Sequence, residues 1–219
     1  MSRAYPRIAA LLETLVLVFV LGACRTAPLQ SDPPLVQPGA PGEPSRVIPA
    51  DKAVDLSRVQ HTAADVRFMQ NMIGHHAQAM EMTALLASRT ASAEMRKLAL
   101  RIDVSQADEI KMMREWLQAR GVTPAGEHAH HTPAGMHMPG MLSPQEMERL
   151  AGSTGAEFDR LFLEFMIKHH EGALVMVKEL FSTPGAGQES EIFAFASDVD
   201  ADQRMEIDRM RAMLKELQK

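Results

Sequence analysis

The chain has 219 residues and a formal net charge of −5, with acidic and basic side chains interspersed along its length. It contains no basic patch and only one Trp, one Tyr and eight Phe, so the sequence gives no indication of nucleic-acid binding. The unusual feature of the composition is 17 Met together with nine His and a single Cys.

The first 23 residues have the pattern of an export signal. A basic start with Arg3 and Arg7 precedes an apolar run over 8–23, which is shorter than a typical membrane-spanning helix. The run ends in LGAC, which resembles the bacterial lipoprotein box and places the only Cys at Cys24. We therefore expect a signal peptide over 1–23, a lipid anchor on Cys24, and a mature protein that faces the periplasm or the exterior. A cleaved signal followed by an incidental Cys is the alternative.

Residues 24–59 are rich in Pro and Gly, a composition that can neither bury a core nor continue as a helix. We expect a disordered, extended tether between the lipid and the folded domain. A coil wrapped on the domain surface is the alternative. No stretch of the chain shows the two-residue alternation of a half-buried strand.

Residues 60–219 show helical periodicity and predict an all-α domain. Ser143, Pro144 and Glu146 have the spacing of a capped helix start. The predicted long helices cover about residues 61–89, 92–119, 155–181 and 188–217, with the short helix beginning at Ser143 between them.

The helical domain contains an internal repeat. The segment 68–76, which ends in His-His, returns as 162–170 at an offset of 94 residues. The match continues in the second and fourth helices at an offset of 97 residues. Each repeat, over 62–120 and 155–218, is therefore predicted to be a helical hairpin, and two such hairpins form a four-helix bundle with one core.

Each repeat carries thioether and imidazole groups at helical spacing. Met72 lies three and four residues before His75 and His76, and Met166 stands in the same relation to its own His pair. This donor set is typical of a soft ion, with Cu(I) favoured and Cu(II) the alternative. Core packing of Met and ordinary hydrogen bonding of His is the simpler explanation of the same pattern. The predicted metal ligands are Met69, Met72, His75, His76, Met80, Met82, Met166, His169, His170 and Met176.

Adjacent His residues on a helix diverge by about 100°. We expect one His of each pair to point to the bundle interior and the other to a neighbouring helix, so that four His surround a shared region that holds one site or two. Because Leu163 and Leu174 replace Met69 and Met80, the first copy is expected to be the softer site. The residues expected to support the imidazoles from the second and fourth helices are Gln106, Glu109, Met113, Gln203, Glu206 and Met210.

The loop between the repeats, over 123–142, carries a second concentration of His and Met. Its His-rich half suits Cu(II) and its Met-rich half suits Cu(I), whereas a solvated loop or a lid over the bundle is the alternative. The candidate ligands here are His128, His130, His131, Met136, His137, Met138 and Met141.

Four segments together resemble the bacterial domain-of-unknown-function 305 family. They are FMxxMIxHH at 68–76, MPGMLSPxEM at 138–147, GAEFDxLFL at 155–163 and MIxHHEGA at 166–173, and the resemblance covers about residues 60–219. It implies a ferritin-like four-helix bundle and an exported protein associated with copper binding and copper tolerance. Carried over to this chain, the resemblance implies Met72, His75, His76, Met80, Met166, His169 and His170 as ligands.

The sequence therefore predicts a lipid-anchored, non-enzymatic protein that sequesters or shuttles Cu(I), or silver, and passes it to a transport partner. Three alternatives stay open: a di-iron enzyme, a haem-binding bundle and a structural or interaction module. The predicted helices contain no Glu-x-x-His of the kind a di-iron bundle uses, and the chain has no Cys-x-x-Cys-His for covalent haem.

Overall fold

The computed structural model describes residues 35–37, 45–49, 59–123 and 138–217. The signal peptide, Cys24 and the loop residues His128, His130, His131, Met136 and His137 lie outside the described residues, so the predictions made for them are not tested. In the described part the elements are β1 (Leu35–Gln37), β2 (Arg46–Ile48), α1 (Ala63–Ala84), α2 (Leu86–Arg89), α3 (Ala93–Ala119), α4 (Pro144–Gly152), α5 (Gly155–Ser182) and α6 (Ser190–Leu217).

Two short strands occur in the segment predicted to be an irregular tether. β1 pairs antiparallel with β2, with Val36 opposite Val47. This pairing was not predicted from the sequence. Three residues are too few to show an alternating pattern, and the two central Val residues are largely exposed, so no buried face marks the pair in the sequence.

The start of the short helix follows the predicted cap, whereas the end of the first long helix differs from its prediction. At α4, Ser143 and Glu146 form a capping box with Pro144 in the first turn, as predicted. The first long helix, predicted to continue to residue 89, ends at Ala84 and is followed by the separate α2. At the break the Leu85 N–H bonds to the Met82 carbonyl, three residues back, which tightens the last turn.

The long helices form two hairpins, as the repeat predicts. α1 packs along α3, α5 packs along α6, and the hairpins meet where α1 packs on α5. This arrangement confirms the all-α bundle of two repeated hairpins with a short helix between them.

The two hairpins are fastened by a buried carboxylate at the start of α1. Asp65 accepts from the backbone N–H of Thr62 at 2.6 Å, and its other oxygen accepts from the N–H of Gly187 at 2.7 Å, in the loop between α5 and α6. Its repeat counterpart is Asp159, whose Oδ1 has no hydrogen-bond partner. The helix that carries Asp159 begins just after Thr154, which makes no side-chain cap.

We expect Asp65→Ala to lower the free energy of unfolding by about 2–3 kcal/mol, because it removes a capping box and leaves a buried N–H unpaired. Asp159→Ala is the matched control, since it removes the equivalent carboxylate without breaking these bonds. Denaturant unfolding of both variants measures the difference; equal losses would contradict the role given to Asp65.

Candidate metal centre

A buried polar layer crosses the middle of the bundle and separates two apolar clusters. On α1 it lies between Ile73, in cluster one, and Ala79, in cluster two. On α3 it lies between Ile102, in cluster two, and Ile110, in cluster one. The layer consists of His75, His76, Gln106, Glu109, His169, His170, Gln203 and Glu206, all at most 6% exposed.

The centre of the layer is a pair of His from the two repeats. The ring centroids of His75 on α1 and His169 on α5 are 3.8 Å apart, and the rings are tilted by 38°. Neither side chain has any exposed surface. The prediction that the two repeats gather their His in one shared region is confirmed.

The other His of each pair points to the neighbouring helix of its own hairpin. His76 Nε2 lies 2.5 Å from Glu109 Oε2 on α3, and His170 Nε2 lies 2.7 Å from Glu206 Oε2 on α6. The rings within each adjacent pair are 6.2 Å apart. The predicted divergence of the two His, and the predicted contacts of both Glu with the imidazoles, are confirmed. The same prediction was wrong for Gln106, whose buried amide has no hydrogen-bond partner at either atom.

All four imidazoles have a buried Nδ1 without a hydrogen-bond partner. In three of them the opposite nitrogen is held: the Nε2–H groups of His76 and His170 donate to Glu carboxylates, and that of His75 donates to the Pro139 carbonyl at 3.0 Å. A proton on Nε2 leaves a lone pair on Nδ1. Holding one ring N–H against an oxygen is how metal-ligating His are oriented, so these unpaired Nδ1 atoms fit a metal ion.

The central His pair is kept uncharged. Burial, together with repulsion from His76, lowers the pKa of His75 to about 3, although the hydrogen bond to Pro139 opposes the shift. Burial and charge repulsion from the His75 ring lower the pKa of His169 well below its usual value. The nearby backbone of His75 favours the protonated ring and partly opposes this shift. Neutral imidazole is the form that binds a metal.

The sulfur atoms lie on both sides of the polar layer. Cluster one contains a buried Met from each of three helices, and cluster two contains their three repeat counterparts. We call these sets Met trio one (Met72, Met113 and Met176) and Met trio two (Met82, Met166 and Met210).

This distribution does not follow the two sequence copies, on which the expectation of a softer first site was based. Met82 belongs to the first copy but lies in cluster two, and Met176 belongs to the second copy but lies in cluster one. The copies exchange these donors because α1 and α5 run past each other in opposite senses. Leu163 and Leu174 indeed lie in or against cluster two, whereas Met69 and Met80 lie in or against cluster one.

Within residues 35–37, 45–49, 59–123 and 138–217, no group of three or more His, Cys, Asp or Glu is arranged to hold a metal ion. Of the two loop candidates that the structure describes, Met138 packs against cluster one and Met141 is half-buried.

Sequence reasoning missed the backbone partner of His75. Pro139 lies 64 residues away, and no spacing rule connects a Pro-Gly turn to a helix so distant in sequence. The sequence offers one indication of a close contact near the His pair. Gly172 lies one turn after His169, at the position where the first repeat has Gln78.

Comparison with known proteins identifies the family. A sequence model described as Domain of unknown function (DUF305) matches residues 65–214. The chain belongs to the DUF305 family, as the sequence motifs predicted. A search of curated proteins gives no match.

Solved structures of similar proteins share the fold. A DUF305 fragment from Deinococcus radiodurans is 32% identical, with a TM-score of 0.60, over 71% of this chain and 98% of that one. A DUF305 protein from Streptomyces coelicolor, provisionally described as secreted, is 31% identical, with a TM-score of 0.60, over 70% and 93% of the two chains. CopM in its Cu(I)-bound form is 27% identical, with a TM-score of 0.55, over 72% and 98%. CopM also has structures in Cu(II)-bound and silver-bound forms.

The helices in the described part of the chain include none that is long and apolar enough to cross a membrane.

Proposed function

We propose that this protein binds Cu(I) in the polar layer of the bundle, through imidazole Nδ1 atoms and thioether sulfurs of the flanking Met trios. The observation that carries the proposal is the set of four buried Nδ1 atoms without partners, three of them on rings whose Nε2–H is held by an oxygen. An unsatisfied buried nitrogen costs about 1–3 kcal/mol, so four in one layer call for a ligand. The Cu(I)-bound and silver-bound forms of CopM support a soft monovalent ion, and its Cu(II)-bound form keeps Cu(II) as the alternative.

Burial favours storage or transfer over catalysis at this layer. All four imidazoles are fully buried, so a bound ion is separated from water and from any dissolved substrate. Exchange of Cu(I) between soft ligands needs no general acid or base. We therefore propose a non-enzymatic role, in which the protein sequesters copper, or silver, or passes copper to a transport protein.

The cell envelope is the proposed location. The export signal and the LGAC sequence support a lipid anchor at Cys24 on the periplasmic or exterior side of the membrane. A thioether and imidazole site suits that compartment, because a free thiolate ligand there is prone to oxidation.

We expect His75→Gln/His169→Gln to lower the affinity for Cu(I) by more than about tenfold, because loss of a group that only orients a ligand already costs about that much. Anaerobic competition of the purified protein with a chromophoric Cu(I) chelator measures the affinity. His61→Gln is the matched control, since His61 stands outside the layer with its ring against Trp116. Equal affinities of the double variant and the control would contradict the proposal.

A further inference from the structure

A turn formed by residues 138–142 lies across α1 and α5 at the central His pair. The Met141 N–H bonds to the Met138 carbonyl at 3.3 Å, and Gly140 has a φ of +75°, which a residue with a side chain rarely adopts. We call this segment the 138–142 turn. It contacts the layer through its backbone, because Pro139 supplies the carbonyl that accepts from His75.

On α1 the turn is held by Gln78. The side-chain amide of Gln78 donates to the Leu142 carbonyl at 3.0 Å, and its oxygen accepts from the Leu142 N–H at 2.8 Å. Both bonds are buried, and Gln78 lies one helical turn after His75, on the same face. The pair of bonds therefore fixes the backbone of the turn relative to His75.

On α5 the backbone of the turn packs directly against Gly172, which has no side chain. A Cβ at Gly172 would overlap the Pro139 carbonyl, and a Cβ at Gly140 would lie 2.6 Å from the Lys168 carbonyl. The two backbones are thus in direct contact. Gln78 and Gly172 are repeat counterparts at the 94-residue offset, as are His75 and His169, so the turn sits where the two repeats meet.

The turn makes the two central His unequal. The carbonyl of Pro139 can only accept, so the ring of His75 must carry its proton on Nε2 and keep Nδ1 unprotonated. The ring of His169 has no partner within hydrogen-bond geometry at either nitrogen, and its approach to the backbone of His75 involves no residue of the turn. Of the central pair, only His75 donates to a carbonyl of the turn.

We propose that Gln78 and Gly172 are positioning residues that hold the Pro139 carbonyl against His75 and so fix the tautomer in which Nδ1 is free for a metal ion. The statement about the metal rests on the proposed function, whereas the statement about the tautomer concerns the metal-free protein and does not.

Nitrogen-15 NMR of the His side chains in the metal-free protein tests the tautomer, with the His75 signals assigned by their loss in His75→Gln. We expect the wild-type ring to carry its proton on Nε2, and Gln78→Ala to give a mixture of the two tautomers. Gln70→Ala is the matched control: Gln70 is also on α1 and donates to a loop carbonyl, that of Thr123 at 3.1 Å, but takes no part in holding the turn. It should leave the His75 signals unchanged.

A wild-type proton on Nδ1, or a Gln78→Ala spectrum identical to that of the wild type, would overturn the proposal. Gly172→Ala should disturb the tautomer more strongly; if that variant does not fold, Gln78→Ala still decides. Where wild type binds Cu(I), Gln78→Ala should weaken binding about tenfold. Failure of the wild type to bind Cu(I) would overturn the proposed function alone, because the NMR comparison would still decide the role of Gln78.

Discussion

Acidification from pH 7 to pH 5 is expected to lower the free energy of unfolding of the metal-free protein by about 2 kcal/mol through His75 alone, with His169 adding to the loss. The pKa of His75 is about 3 in the folded protein, against an ordinary value of 6.5 for the His side chain. At a pH between these two values, His75 is protonated in the unfolded chain but not in the folded chain. Stability is therefore fully present above pH 6.5 and declines as the pH falls toward 3.

Denaturant unfolding at several values between pH 7 and pH 5 measures this slope, in a range where most exposed carboxylates remain ionised. His75→Gln should unfold with a shallower dependence on pH, whatever its stability at pH 7, since Gln does not titrate. Gln70→Ala, a change on α1 that removes no titratable group, should keep the wild-type slope. Equal slopes in wild type and His75→Gln would contradict the burial argument.

Replacing Met trio one by Leu is expected to lower the affinity for Cu(I) by at least about tenfold while the protein still folds. Leu and Met have similar volumes, and swaps between them usually cost less than about 1.5 kcal/mol each. The chain itself tolerates the exchange, because Leu163 and Leu174 occupy the repeat positions of Met69 and Met80. What the change removes is the soft sulfur that selects Cu(I).

Met95→Leu is the matched control for this variant. Met95 is as buried as the trio, but its repeat counterpart is Ile192, so the repeat does not preserve sulfur there. Chelator competition measures affinity and thermal unfolding measures stability. If the triple variant folds and keeps the affinity of Met95→Leu, the sulfurs of trio one serve only as core.

The fold was predictable because its signals are local or repeated. Helical periodicity, the Ser143 cap and the 94-residue offset together predict two helical hairpins. Burial of their apolar faces against each other then predicts a four-helix bundle. The divergence of His75 and His76 follows from helix geometry alone. The three-residue strands were not predicted, because so short an element carries no periodic pattern.

The side chains of the buried layer were predictable from the sequence, but the grouping of the Met residues on either side of it was not. Which Met lies beside which His depends on the antiparallel crossing of α1 and α5, which exchanges Met82 and Met176 between the two clusters. The contact of Pro139 with His75 requires the turn and α5 to lie close together, which Gly172 permits. The sequence of the Pro-Gly turn does not indicate this contact.

X-ray absorption of the anaerobic protein loaded with one equivalent of Cu(I) tests the central claim most directly, because it reads the elements bound to the ion. Buried Nδ1 atoms and Met sulfurs as joint ligands require both nitrogen and sulfur neighbours in the wild type, and fewer nitrogen neighbours in His75→Gln/His169→Gln. Copper that fails to stay bound, or that is held by nitrogen and oxygen with no sulfur, would contradict the account.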